Sequence, residues 1–303
     1  MDGRLRNDVP LSQYTTLGVG GAATRYWEVA DGHCLAEIVR RTRGDGSPVK
    51  CIGRGSNVLV HDRGVRGLLV RMADRFAAIS VEPPYLIAQA GAALPSLLRY
   101  CCEHGLLDLS CCAGIPGSCG GAVCGNAGQG GRSIADKIAW VELLAPETGA
   151  FHRRPAGEMG FQHRRSILQQ DGLLVTRVAF HLERGDGKLW AKKAAQSLAR
   201  REGTQPRGAR SAGSFFRNPP GEAAGALIDR AGLKGARVGD AMVSPVHANF
   251  LVNRGRGRSD DFFELIRLVR RGVFENVGIW LELEVQLLGF TEDEVAELSS
   301  ETR

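Results

Sequence analysis

Residues 114–131 read GIPGSCGGAVCGNAGQGG, eight glycines and one proline in eighteen positions. A stretch this bare of side chains is either a loose linker or backbone shaped to lie against something flat or charged, because glycine alone lets a neighbour approach the Cα closely. Its place in the chain argues against a linker. It follows LPSLLRYCCEHG, which reads as a short helix closed by Gly105 in the C-cap role, and it precedes strand-like segments around Ile138–Leu144 and Leu173–Leu182.

The remaining pattern alternates helix and strand. HCLAEIVRRT (33–42) places Leu35, Ile38 and Val39 at helical spacing, Val49–Ile52 and Val58–Val60 read as short strands, and YLIAQAGA (85–92) as another. Between the first two strands lies GRGSN (53–57). It begins like the dinucleotide fingerprint but has Val58 in place of the third glycine, and a strand rather than a helix follows. Composition shifts toward Gly, Pro and Arg over 200–225, which puts a domain boundary near 184–190. Beyond it, GALIDRAGLKG predicts a helix with Leu227, Ile228 and Ala231 inward. A second helix is expected from Ser259 as N-cap, with Asp260 and Asp261 in its first turn and Phe262, Phe263, Leu265, Ile266, Val269 and Phe274 on its buried face. IWLELEVQLLG (279–289) alternates as a strand, with Glu282 and Glu284 on one face. By itself that pattern reads as a solvated face, and a functional reading requires a ligand there.

Composition removes several function classes. At 303 residues, 43% hydrophobic and 24% charged, the chain suits two globular domains. No apolar run approaches the roughly 18–20 residues that span a bilayer, and MDGRLRNDVPLSQ lacks an apolar signal region, so a cytoplasmic protein without membrane association is expected. The eight cysteines include the adjacent pairs Cys101-Cys102 and Cys111-Cys112 but no CxxC, which predicts buried thiols and no metal or iron–sulfur site. The net charge of +6 is scattered in groups such as Arg40-Arg41, Arg200-Arg201 and Arg254/Arg256/Arg258, with no nucleic-acid-binding signature. A small polyanion such as a nucleotide diphosphate fits better than nucleic acid.

Seven segments converge on one family: YTTLGVGGAATRYWEV (14–29), GRGSNVLVHDRGVRG (53–67), AGIPGSCGGAVCGNAGQGG (113–131), HRRS (163–166), SAGSFFRNP (211–219), HANFLVN (247–253) and LELEV (281–285). In order and spacing the chain resembles the UDP-N-acetylenolpyruvoylglucosamine reductases over roughly residues 10–290. The resemblance implies an α+β fold: a two-lobed FAD-binding domain of the vanillyl-alcohol-oxidase type over 1–187, with lobes of about 1–74 and 75–187, and a C-terminal α+β substrate-binding domain over 188–303. It implies FAD and NADPH as cofactors and UDP-N-acetylglucosamine enolpyruvate as substrate. In such enzymes hydride passes from NADPH to flavin and on to the methylene carbon of the enolpyruvyl group.

The site residues follow from the same resemblance. Arg164 in HRRS matches the arginine that meets the enolate charge, with Glu284 as its acidic partner, and Ser214 matches the proton donor. A serine hydroxyl is a weak acid but adequate toward a strongly basic enolate carbon. Gly53, Arg54, Gly55, Ser56, Asn57 and Val58, together with Ile115, Pro116, Gly117, Ser118, Gly120, Gly121 and Asn126, match the FAD-binding segments. Arg217, Asn218 and His247 match substrate-binding positions, the first two toward the diphosphate. Four positions depart from the family pattern: His163 for tyrosine, Gly130 where an aromatic is usual, Val246 for lysine and Leu283 for proline. The length is that of the shorter form without a tyrosine-bearing loop, and a monomer is expected. Two alternatives remain at this point: an FAD-linked oxidoreductase of the same fold with another substrate, or a non-catalytic flavin- or nucleotide-sugar-binding relative.

Overall fold

The computed structural model describes residues 5–44, 46–72, 74–169 and 173–299. The start of MDGRLRNDVPLSQ and the outer ends of both expected domains lie outside them. The chain divides into two compact units, and neither is continuous in sequence. The first holds the N-terminal residues to Asn7, Arg25–Arg54 and Arg66–Arg201; the second holds Asp8–Thr24, Gly55–Val65 and Glu202–Arg303. The expected functional division at 187/188 is a single cut, whereas packing sends two early segments into the company of the C-terminal third.

The first unit is built on an antiparallel sheet in which Ala150–Pro155, Ile138–Ala145, Leu174–His181, Tyr85–Gln89 and Ile79–Glu82 lie side by side. Val141, Leu143, Val178, Phe180 and Leu86 are buried on it. In a second sheet, Val49–Ile52 pairs in parallel with residues 68–71 of the strand Val65–Arg71. Helix Gly32–Arg43 starts where the Asp31 carboxylate accepts from the Cys34 amide at 2.8 Å. Helix Leu94–His104 ends at Gly105, which takes the left-handed conformation the sequence called for.

Helix Gly187–Thr204 was not expected. It is rich in Ala, Lys and Arg, good helix formers, but it buries only Trp190 among its residues, so no apolar stripe announces it. It is held at one end by Asp186, whose carboxylate accepts from the amides of Lys188 and Leu189. Along its length, Lys193 reaches the buried Asp108, which also accepts from the Ser110 amide and the Arg132 guanidinium.

The second unit contains a four-stranded antiparallel sheet with Arg210–Ser214, Phe250–Asn253, Ala241–Val243 and Arg237–Val238 in that order. Helices Ala224–Arg230 and Ser259–Val277 contribute Leu227, Ile228, Phe262, Leu265, Ile266, Val269 and Val273 to the core. Ser259 is not the cap of the long helix but its first residue, and the N-cap is Arg258. The reason is Asp62, whose carboxylate accepts from the Ser259 amide while the Ser259 hydroxyl accepts from the Asp62 amide. The terminal strand is also shorter than its alternation predicts. Only Gln286–Leu288 is a strand, parallel to Val58–Val60, and residues 282–285 run extended across the neighbouring Phe215–Arg217 segment.

Candidate functional site

Ser214 ends the strand Arg210–Ser214, and the ladder to Phe250–Asn253 slips between Ser211 and Ser214. Gly213 sits in the slip with φ +80°, a conformation L-residues avoid, and the Ser211 hydroxyl accepts from its amide at 3.3 Å. Such a bulge re-aims the side chain that follows it. The next residues are clamped. Asn249, buried, accepts from the Phe216 amide at 2.9 Å and donates to the Phe216 carbonyl at 2.8 Å, while its own carbonyl accepts from the Phe215 amide.

The extended segment 282–286 completes this side. The Glu284 amide donates to Phe215 O at 2.8 Å and the Arg217 amide to Glu282 O at 2.8 Å. On its other edge, the Asn57 side chain donates to Glu284 O at 3.2 Å and the Gln286 amide to Asn57 O at 3.0 Å. Ser214, Glu284 and Asn57, far apart in sequence, are thus brought onto three adjoining pieces of backbone. Val58 follows as the first residue of its strand. Arg217 pairs with the largely exposed Glu282 carboxylate at 3.2 Å.

A cavity of about 300 Å³ opens beside Ser214, lined also by Asn218, Asp229, Lys234, His247 and Asn249. Two of the sequence-predicted residues, Asn218 and His247, are on its wall. Burial holds the His247 imidazole below its ordinary value, and the nearby Lys234 ammonium adds to that, so the ring is neutral near pH 7. Lys234, Asp229 and Asn249 were missed by the sequence reading. Asn249 had a signal: a polar residue inside the apolar run HANFLV, which must find partners if buried.

The loop 53–57 and the glycine-rich run were expected to cradle FAD, and both can be tested for fit. Among the described residues, no internal acceptor engages the amides of Gly55, Ser56 or Asn57. Gly55 is buried at φ +63°, and a Cβ on it would lie 2.0 Å from Tyr14 O. Consecutive free donors on a turn that excludes a side chain suit a diphosphate. In the first unit, Gly53 and Arg54 enter the same loop, with Arg54 paired to Asp74. Gly117 and Ser118 likewise have amides without internal acceptors among the described residues.

The rest of the glycine-rich run is more committed. Ser118 caps a short helix, Cys119–Cys124, which the glycine-rich pattern does not announce; its hydroxyl accepts from the Gly121 amide. The Gly120 amide donates to Ala90 O at 2.8 Å and the Ile115 amide to Cys112 O, with Pro116 exposed between. Asn126 acts as a fastener: buried at φ +42°, it donates to Gln162 O at 2.8 Å and accepts from the Ala135 amide.

That fastener holds Arg164. Gln162 and Arg165 exchange backbone hydrogen bonds around a tight turn, and Arg164 occupies it at φ +56°. A non-glycine residue in this conformation costs on the order of 1–2 kcal/mol, and such strain collects at functional sites. The Ser166 hydroxyl donating to Cys124 O at 2.6 Å steadies the turn from its other side. The Arg164 guanidinium donates to Gly128 O at 2.8 Å. Burial holds the Arg201 guanidinium below its ordinary value, and Arg164 adds to this by repulsion, so the same face gathers positive charge.

The eight cysteines are free thiols, and among the described residues no group of three potential ligands could hold a metal ion. No helix among them is long and apolar enough to cross a membrane.

Comparison with known proteins gives this geometry its context. Residues 25–153 match the family description "FAD binding domain", and residues 205–288 match "UDP-N-acetylenolpyruvoylglucosamine reductase, C-terminal domain". A UDP-N-acetylenolpyruvoylglucosamine reductase 2 of Symbiobacterium thermophilum is 39% identical over 95% of this chain and 93% of its own. The Synechococcus reductase is 40% identical over 95% of both. The crystal structure of the Thermus caldophilus reductase superposes with a TM-score of 0.81 at 39% identity, covering 94% of this chain and 99% of that one. The fold is therefore the expected α+β one, with an FAD-binding domain followed by the C-terminal domain of these reductases. With this identity sustained over nearly its whole length, the chain belongs to the UDP-N-acetylenolpyruvoylglucosamine reductase family.

Proposed function

We propose that this protein reduces UDP-N-acetylglucosamine enolpyruvate to UDP-N-acetylmuramate, with FAD and NADPH. The observation that carries the reading is the junction of Ser214, Glu284 and Asn57 on adjoining backbone beside a donor-lined cavity. When bound, FAD carries two electrons and one proton from NADPH to the enolpyruvyl double bond. The free amides of Gly55, Ser56 and Asn57 would hold its diphosphate, and the free amides of Gly117 and Ser118 are further donors to the cofactor in the family resemblance.

The residues then divide the work. As electrons arrive, negative charge develops on the substrate carboxylate, and the Arg164 guanidinium, preset by its strained turn, meets it. Glu284 partners that charge pattern as the family resemblance assigns. Ser214 delivers a proton to the carbon bearing the ether oxygen. Two electrons and one proton supplied through the cofactor, with one proton from Ser214, convert the C=CH2 group to CH–CH3. Arg217, Asn218 and His247 serve the nucleotide end of the substrate. The protein acts as a cytoplasmic monomer in peptidoglycan precursor synthesis, and through it in cell-wall biogenesis, cell shape and cell division.

Protein reconstituted with FAD oxidises NADPH when given UDP-N-acetylglucosamine enolpyruvate; no oxidation beyond the substrate-free rate rejects the reading. In stopped flow, Ser214→Ala leaves flavin reduction by NADPH near normal and slows reoxidation by substrate about 10²–10⁴-fold. Equal loss in both half-reactions would remove Ser214 from its role.

A further inference from the structure

Within the second unit, residues 14–19 bridge the cofactor loop and the strand that carries Ser214. The Thr16 amide donates to Gly55 O at 3.0 Å. A peptide is planar and trans, so its C=O and N–H point opposite ways, and holding Gly55 O against Thr16 aims the Ser56 N–H away from the bridge. That N–H is one of the free donors of the loop. On the other side, the Thr16 hydroxyl donates to Ser211 O at 2.6 Å, the nearer of its two acceptors, with Gly55 O at 3.3 Å. Ser211 is the last paired residue before the ladder slips to Ser214, and its own hydroxyl donates to Leu251 O at 2.9 Å. The bridge is itself fastened. Leu17 is buried and its carbonyl accepts from the Asn253 side chain at 3.1 Å, the Thr15 hydroxyl donates to Val19 O at 3.0 Å, and Gly18 turns at φ +70°. Thr16 is exposed, so its contact with Ser211 is not a by-product of burying the side chain.

We infer that Thr16 is a positioning residue that sets the strand of the proton donor against the cofactor loop, its amide serving the loop and its hydroxyl the strand. Asn57 ties the same loop to the segment of Glu284. Thr16 adds a second strap, so that Ser214 and Glu284 are both referred to one piece of backbone. With the hydroxyl removed, the bulge at 211–214 keeps its ties to residues 249–253 but loses this one to the cofactor loop. Proton delivery needs the donor held at a fixed distance from the reacting carbon, and it suffers first when that strap is cut. The chemistry of Ser214 rests on the reductase reading; the bridge from Gly55 to Ser211 does not.

The test is stopped flow on FAD-loaded Thr16→Val, which keeps the backbone amide and the side-chain shape and removes only the hydroxyl. Flavin reduction by NADPH stays at the wild-type rate, while reoxidation by UDP-N-acetylglucosamine enolpyruvate slows roughly 10–100-fold, the scale of a small misplacement of a reacting group. Thr16→Ser, which restores the hydroxyl, recovers most of the rate. A merely structural hydroxyl would lower the melting temperature or the flavin content and leave the ratio of the two half-reactions as in the wild type, so the variants are compared at equal flavin content. Reoxidation of Thr16→Val at the wild-type rate, equal slowing of both half-reactions, a Thr16→Val protein that loads no FAD, or no recovery in Thr16→Ser overturns the inference and leaves the reductase reading standing. Reduced wild-type flavin that the enolpyruvyl substrate fails to reoxidise rejects the reductase reading, and with it this role for Thr16.

Discussion

Ser214 owes its placement to a side chain that never enters the reaction. Asn249 supplies both hydrogen bonds of the Phe216 peptide, as a neighbouring strand would, and so fixes the backbone two residues beyond the hydroxyl. Asn249→Ala strips two buried backbone groups of partners at about 1–3 kcal/mol each. A loss of about 2–4 kcal/mol in urea unfolding is expected, with kcat falling alongside stability. Ser214→Ala keeps stability and loses the oxidative half-reaction, so the two variants separate positioning from chemistry. The sequence named Ser214 through its motif but not Asn249, whose partner Phe216 lies 33 residues away, just beyond the strand Arg210–Ser214. Its burial becomes visible only once that strand is paired.

The glycine-containing turns divide into two kinds. Gly55 faces backbone, and its Cβ would lie 2.0 Å from Tyr14 O, so Gly55→Ala displaces the loop whose amides we propose hold FAD. Purified Gly55→Ala protein should carry much less flavin per chain, read from its visible absorbance. Gly130 closes the hairpin between Gly128–Gln129 and Arg132–Ser133 at φ +65°, with nothing within 4 Å of a Cβ there. Gly130→Ala meets only the conformational cost of about 1–2 kcal/mol and should keep its flavin. Strands such as Val49–Ile52 and Val58–Val60 were legible because short β-branched runs between turn residues have few other readings. The helix at Cys119–Cys124 was hidden because three of the eight residues of GSCGGAVC are glycines, poor helix formers that packing against Ala90 and Ala92 overrides. The 279–289 alternation was read as one strand, yet ladder pairing begins only at Gln286 because the preceding residues turn to bond the 215–217 segment.

Across the molecule, acid tolerance should depend on Asp108. Burial raises its carboxyl, but hydrogen bonds from the Ser110 hydroxyl and amide, Lys193 and Arg132 outweigh that and bring it to about 2. The folded value lies below the unfolded one of about 3.8, so the stabilisation is complete above pH 4 and disappears as pH falls toward 2. Asp108→Asn should cost on the order of 2 kcal/mol at pH 7 and flatten the stability profile between pH 4 and 2, measured by thermal unfolding. The net charge of +6 is read directly from the sequence. The return of residues 8–24 and 55–65 to the C-terminal unit was not, because no local pattern records which distant partner a strand will choose.

The pairing of Gln286–Leu288 with Val58–Val60 also sets a clock. The loop 53–57 is translated early, yet the bond to its Asn57 carbonyl and the strand beside it come from residues far downstream in the chain. Until residues 286–288 are made, the loop lacks the strand that flanks it, and flavin capture is expected to wait for them. On dilution from denaturant in the presence of FAD, quenching of flavin fluorescence should lag the recovery of far-ultraviolet circular dichroism.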